Sequence, residues 1–243
     1  MRIPSFLIVA LTVLIFSCKK GVNETDDTSP LTVQDADGNI YNTVRIGNQI
    51  WMKENLKTTR LNDNTALTEY KHFNPNRSVF PWFSTTSPQM LFQWADVSDL
   101  NRLYPNQLSI DYYGAHYSHL AIQSGKLAVP GWRVPTQKDF VVLRDFLASQ
   151  GYTGNEATVL KSKVGWVTSI GNGTDLFGFE ARPAGSTIIG GTPDFASAIA
   201  RFATSNLNST STTRKAASIG KNGGLEFEDL DIRFGLSIRL IKE

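Results

Sequence analysis

The sequence predicts a mixed α+β body, and three observations carry that reading. Turn dipeptides between alternating apolar and polar runs mark hairpins near the start of the folded region. One stretch in the middle repeats apolar residues at helical spacing behind a capping signal. The last third returns to short apolar stretches punctuated by glycine. Strand signals on both sides of one strong helix allow an α+β body.

The first segment is not part of that body. Met1-Arg2 gives a small basic start, and Phe6 to Phe16 is an almost unbroken apolar run of eleven residues. Crossing a bilayer takes about 18 apolar residues or more, whereas the apolar core of a signal peptide takes about 7–15. The run ends at Ser17-Cys18, and Cys18 is the only cysteine in the chain. Residues 1–17 are therefore expected to be a lipoprotein signal peptide, with cleavage after Ser17 and acyl chains on Cys18. Each buried methylene contributes roughly 0.8 kcal/mol, so a diacylglycerol thioether plus an amide-linked chain such as palmitate anchors the protein firmly. The expected address is the cell envelope, as an outer-membrane lipoprotein, with the periplasmic and the surface face both open. Residues 18–30 carry no aromatic side chain and read as a flexible tether. The acidic group Glu24, Asp26 and Asp27 is either plain solvated linker or, by resemblance to Bacteroidetes-type lipoproteins, a surface-export signal.

Residues 31–243 are expected to form one domain. Removing residues 1–17 takes away Arg2, so the formal charge falls from +2 to +1. A near-neutral chain lacks the concentrated basic face that nucleic acid requires. With Cys18 committed to lipid no disulfide is available, and the fold must hold by packing.

In order along the chain, Leu31–Val33, Ile40–Ile46 and Gln49–Met52 read as a three-stranded meander, turned at Asp37-Gly38 and Gly47-Asn48. The Asp35-x-Asp37-x-Asn39 run imitates a calcium loop. The glycine that an EF-hand needs at its sixth position is Ile40 here, and the glutamate at the twelfth is Ile46, so a turn is expected. Residues 56–113 combine many aromatics with Pro75, Pro81, Pro88 and Pro105, and read as long loops with short strands. Thr136 followed by Asp139 imitates a capping box, Phe140, Val141, Leu143, Arg144, Phe146 and Leu147 give the stripe, and Gly151 ends the helix. A shorter helix is expected over Glu156–Ser162. Residues 165–185 read as turns with short strands, 197–205 as a strand, 206–215 as a loop, and 232–241 as a final strand. In that last strand Arg233, Ser237 and Arg239 form its polar positions.

Several of these pieces, in this order, resemble the Fibrobacter succinogenes major paralogous domain family. They are Asp37–Tyr41, Val44–Lys57, Gly131-Trp-Arg-Val-Pro-Thr136, Gly171–Thr174, Gly178-Phe-Glu-Ala-Arg-Pro-Ala-Gly185 and Gly235–Arg239. Trp132–Thr136 is also similar to the Trp-Arg-Leu-Pro-Thr segment of formylglycine-generating enzymes. That similarity implies a C-type-lectin-like fold, with a twisted, mostly antiparallel sheet, one or two helices and long loops. Where the family carries two cysteines this chain has Ala128 and Leu240. The resemblance therefore implies that these two lie close together and that apolar packing replaces a bridge. Around Ala203-Thr204-Ser205 the chain departs from the family's Trp-Ser-Ser-Thr-like strand.

The search for chemistry points away from catalysis. The copper chemistry of formylglycine-generating enzymes needs cysteines, and Cys18 is spent. There is no Gly-x-Ser-x-Gly elbow, no phosphate-binding loop and no dinucleotide fingerprint. Glu226, Glu228, Asp229 and Asp231 are read as a solvated loop face rather than a glycosidase pair. His116 and His119 have the spacing of ligands on one helical turn, with His72 as a third, yet packing roles are expected, with no metal and no cofactor. What remains is a surface of rings and amides. Trp82, Trp94, Tyr112, Asn172 and Asp175 are the candidate ligand-binding residues for a glycan. The expected function is a non-enzymatic, lipid-anchored domain that binds a glycan or a surface protein. The alternative is a structural component of an envelope or polysaccharide-uptake assembly.

Overall fold

A computed structural model describes residues 32–71, 89–95, 108–188, 191, 193–208, 210, 212–220 and 222–243. Cys18, His72 and Trp82, with the expected signal peptide and tether, lie outside the described residues.

The meander forms as the sequence predicts. Strands β1 (Thr32–Gln34), β2 (Ile40–Ile46) and β3 (Gln49–Met52) pair antiparallel, with Val33 opposite Tyr41 and Val44 opposite Trp51. The first turn is a knot of hydrogen bonds rather than a cation loop. Asp35 Oδ1 accepts from the backbone N–H groups of Asp37 and Asn39, each at 2.9 Å, and Oδ2 accepts from the Tyr41 hydroxyl at 2.5 Å. Asp37 accepts from the Thr59 N–H and, at 3.1 Å, from Arg60 Nε. Gly38 turns the chain at φ +86°.

Two further strands complete this first sheet: β7 (Trp132–Arg133) and β14 (Ile241–Lys242), in the order β1-β2-β3-β14-β7. The end of the chain is thus inserted between β3 and β7, antiparallel to both. A second, seven-stranded sheet has the order β12-β11-β10-β13-β6-β5-β4. It comprises β4 (Thr68–Glu69), β5 (Leu91–Trp94), β6 (Ala115–Tyr117), β10 (Ala200–Leu207), β11 (Thr213–Ile219), β12 (Leu225–Asp231) and β13 (Leu236–Ser237). Its pairs are antiparallel except β4 with β5 and β10 with β13. A ribbon of β8 (Ser186–Thr187) and β9 (Pro193–Asp194) folds across it and bridges to Gly235 and Ala200.

Among the described residues the helices are short apart from one: α1 (Ile110–Tyr113), α2 (His119–Gln123), α3 (Gln137–Ser149) and α4 (Glu156–Leu160). The long helix α3 begins where the sequence places it. Thr136 and Asp139 form the capping box, and Arg133 forks onto the same carboxylate at 2.7 and 2.8 Å. Burial raises the pKa of Asp139, but the bonds from Arg133 and Thr136 prevail and hold it below the usual carboxylate range. Trp132 and Val134 are buried on either side of Arg133. The whole Trp132–Thr136 run is therefore a helix-start device. Phe140, Leu143 and Leu147 bury the helical stripe, and Gly151 follows the end at φ +88°.

Among the described residues two large apolar clusters make up most of the core, with two small ones beside them. One gathers Tyr41, Met52, Leu56, Phe92, Tyr117, Trp132, Leu236 and Leu240, and Ala128 is buried within it. The other holds an aromatic nest of Trp51, Phe140, Phe179 and Phe202, whose neighbouring ring centroids lie 5.0–6.1 Å apart. Such pairs contribute about 0.5–1.5 kcal/mol beyond the area they bury.

The C-terminal third corrects the sequence reading in three places. Residues 206–215 are not one loop: β10 runs to Leu207 and β11 starts at Thr213. Residues 232–241 are not one strand, because β13 belongs to the second sheet and β14 to the first. Ser237 and Arg239, polar positions of the expected strand, are buried together with the apolar residue between them. Strand alternation fails there because the chain crosses between sheets. Residues 161–185 form turns and isolated bridges, such as Lys161 to Ala181, rather than short strands.

Candidate functional site

Tyr112 and Asp175 converge on one charged cluster, and Trp94 and Asn172 do not. The cluster joins three stretches. Lys53, Glu54 and Asn55 follow β3, Glu180 and Arg182 lie in the turn after Phe179, and Arg239 lies between β13 and β14. Arg239 is completely buried. Its Nη1 donates to the carbonyls of Met52 (3.2 Å) and Phe179, and its Nη2 to Asn55 Oδ1 (2.8 Å) and the Glu180 carbonyl (3.1 Å). The guanidinium carbon sits 4.9 Å from the Phe179 ring centroid and 5.2 Å from that of Phe202. Burial pushes its pKa down, to about 9, which still leaves it protonated at neutral pH.

Above it, Arg182 Nη2 donates to Glu180 Oε1 at 2.7 Å, and Nη1 donates to the Tyr112 carbonyl at 2.9 Å. The same guanidinium covers one face of the Tyr112 ring at 4.3 Å. The Tyr112 hydroxyl donates to the Val164 carbonyl at 3.3 Å. Asp175 accepts from the Glu180 N–H at 2.6 Å, and both residues hold a positive φ, +48° and +54°. Burial raises the Asp175 pKa. Glu54 is held by the Asn42 backbone and side-chain N–H groups, each at 2.8 Å. Of the fully buried side-chain atoms in this cluster, Arg239 Nε has no hydrogen-bond partner among the described residues. The cluster is a closed knot that ties the two sheets together, and Tyr112 is not an open stacking face.

The other candidates lie elsewhere. Trp94 is half-buried and packs edge-on against Phe92 at 5.4 Å, beside the first core cluster. Asn172 is exposed, and its Oδ1 accepts from the Trp166 N–H at 3.2 Å, closing the turn at residues 168–170. The two described histidines go different ways. His116 is on β6 with Nδ1 2.9 Å from Thr187 Oγ1, whereas His119 opens α2 and meets Arg214 Nη2 at 3.0 Å. An arginine donor at that distance makes His119 Nδ1 an acceptor, and burial followed by the Arg214 charge lowers its pKa. The acidic run expected as a loop face is strand β12. Glu228 pairs with Arg201 on β10, two strands away, and Asp229 with Lys215 on the adjacent β11.

The structure adds a site that the sequence reading missed. Phe195 follows β9 at φ +52° and is 55 % exposed; among the described residues it is the only exposed aromatic side chain. A bulky side chain in that backbone region is a genuine outlier, and such strain concentrates at functional positions. The Arg201 guanidinium lies 5.2 Å from its ring centroid. Arg201 is itself buried and forks onto Glu228, with Nε and Nη2 at 3.3 and 3.1 Å from the two oxygens. Its Nη1 reaches Asp194 Oδ2 at 3.1 Å and Ser186 Oγ at 3.0 Å. The Asp194 and Glu228 side chains remain about a quarter to a third exposed. An open ring rimmed by two carboxylates and floored by a fixed cation can stack on a ligand and accept hydrogen bonds from it. The only signal in the sequence was Pro193-Asp194 ahead of an aromatic residue.

The architecture is that of a sheet-rich α+β domain with an end strand stitched into its first sheet, and its polar knot is built from the Lys53–Asn55, Glu180–Arg182 and Arg239 segments. The chain belongs to the Fibrobacter succinogenes major domain family, whose model matches residues 44–242. No curated protein and no solved structure matches the chain. Among the described residues no helix is long and apolar enough to cross a membrane, and no group of three or more metal-ligating side chains occurs.

Proposed function

We propose that this protein is a non-catalytic, lipid-anchored domain of the cell envelope that recognises a glycan. The observation that carries this reading is Phe195, a ring held outward at a strained φ over the Arg201–Asp194–Glu228 cluster. Aromatic faces stack on the apolar face of a pyranose, and flanking carboxylates accept its hydroxyls. The closed knot at Tyr112 supports the same reading by a different route, since it makes a rigid base with its charges already paired. A C-type-lectin-like relationship of the fold belongs to this proposal, as does lipid attachment at Cys18 and an outer-membrane address.

Glycan-array binding of the body domain tests the recognition. Phe195→Ala is expected to abolish binding while the thermal midpoint stays unchanged, and Trp94→Ala is expected to leave binding intact. Equal binding by wild type and Phe195→Ala overturns the site. Intact mass spectrometry of the membrane-extracted protein tests the anchor, with acyl chains on an N-terminal Cys18 as the expected result and an unmodified chain as the contrary one.

A further inference from the structure

Gln93, His116 and Ser237 are register partners on three adjacent strands. Gln93 lies opposite His116 across β5 and β6, and His116 lies opposite Ser237 across β6 and β13. Directly opposed residues point the same way, with Cβ atoms about 4.5–5.5 Å apart. All three are buried, at 3 %, 1 % and 1 % exposure. Each leaves one polar atom without a hydrogen-bond partner among the described residues: Gln93 Oε1, His116 Nε2 and Ser237 Oγ.

The other ends of Gln93 and His116 are fixed, and both reach the ribbon that crosses this sheet. Gln93 Nε2 donates to the Gly191 carbonyl at 3.0 Å, and His116 Nδ1 meets Thr187 Oγ1 at 2.9 Å. Thr187 also bridges to Gly235 through the backbone. The row therefore lies against Thr187 of β8 and Gly191. One buried unpaired polar group costs about 1–3 kcal/mol, so three in neighbouring positions do not persist in a dry site.

We propose that Gln93, His116 and Ser237 form an internal binding site for ordered water, which bridges the three strands beneath the β8–β9 ribbon. The donor and acceptor inventory selects this ligand. Gln93 Oε1 only accepts, Ser237 Oγ does either, and a neutral imidazole offers one free nitrogen. Burial keeps the imidazole neutral, while the Ala184 backbone carbonyl acts in the opposite direction. The three groups carry no formal charge to balance an ion. A small neutral molecule that both donates and accepts, with two to four polar partners, meets the requirement, and water is the smallest. By holding the sheet to the ribbon, the site fixes the segment that carries Asp194 and Phe195. It stands whether or not Phe195 binds a glycan.

A near-atomic-resolution crystal structure of the body domain, paired with a Gln93→Met, Ser237→Ala double variant, tests this. The expected result is a water within about 2.7–3.2 Å of at least two of the three atoms in the wild type, and none in the double variant. The two single substitutions should also be coupled, with the double variant's midpoint shift smaller than the sum of the single shifts. A wild-type site with no water, in which Gln93 Oε1 and His116 Nε2 bond to each other or to protein groups, overturns the proposal, as do strictly additive shifts.

Discussion

Arg239 and Arg201 both place a guanidinium among aromatic rings inside this protein, yet they are compensated in opposite ways. Arg239 is met by three backbone carbonyls and the Asn55 amide oxygen, with no carboxylate in contact and no solvent. Arg201 is met by two carboxylates and a serine hydroxyl, and its carboxylates keep part of their surface in water. Neutral dipoles fix a charge in one geometry and leave nothing for a ligand. Half-hydrated carboxylates also fix it, but they retain acceptor capacity at the surface. The first arrangement serves the joint between the sheets, and the second suits a recognition surface.

That contrast can be broken in order of expected effect. Arg239→Met should be the most damaging, because it strands the carbonyls of Met52, Phe179 and Glu180 in a dry interior. A loss of about 3–5 kcal/mol in urea unfolding is expected, and a loss below 1 kcal/mol would show that the knot is dispensable. Acid should strike the Arg201 side next, through the ribbon that His116 supports. Burial pushes the His116 pKa down, to about 4, so the unfolded chain takes up this proton first. Stability from this group is complete above about pH 6.5 and declines as pH falls toward 4, by about 3 kcal/mol in all. Denaturation at a series of pH values should show that slope, and His116→Gln should remove it. Arg201→Met should cost less than Arg239→Met, about 1–2 kcal/mol, since water can rehydrate Asp194 and Glu228. Thr136→Ala, which deletes the cap of α3 far from both sites, should cost about 1 kcal/mol and calibrate the series. Phe195→Ala should move stability least, because its ring is mostly in water.

The parts that were legible in the sequence are those fixed by neighbouring residues. Asp37-Gly38, Gly47-Asn48 and the Thr136–Asp139 box act over a few positions, and the meander and α3 stand where those signals put them. The strands of residues 213–219 and 225–231 were hidden because their polar residues find partners across the sheet. Lys215 opposite Asp229 reads as loop until the register pairs them. Arg239 reads only as a polar position of an alternating strand, and the crossing between sheets is what buries it. Phe195 was missed for a backbone reason: nothing in a single sequence announces that a phenylalanine will take a left-handed φ. Of the rings and amides proposed from sequence, Tyr112 and Asp175 share one cluster through Glu180 and Arg182, while Trp94 and Asn172 serve local packing and a turn.

The position of β14 has a kinetic consequence. Ile241 closes the first sheet by pairing with Trp51 on one side and Arg133 on the other. The meander can form from residues close in sequence, but the slot between β3 and β7 stays vacant until residues 241 and 242 dock. Contacts so distant in sequence form slowly, and an open strand edge invites foreign pairing in the meantime. Sheet closure is therefore a late step of folding, gated by delivery of the Ile241 segment to a preformed meander.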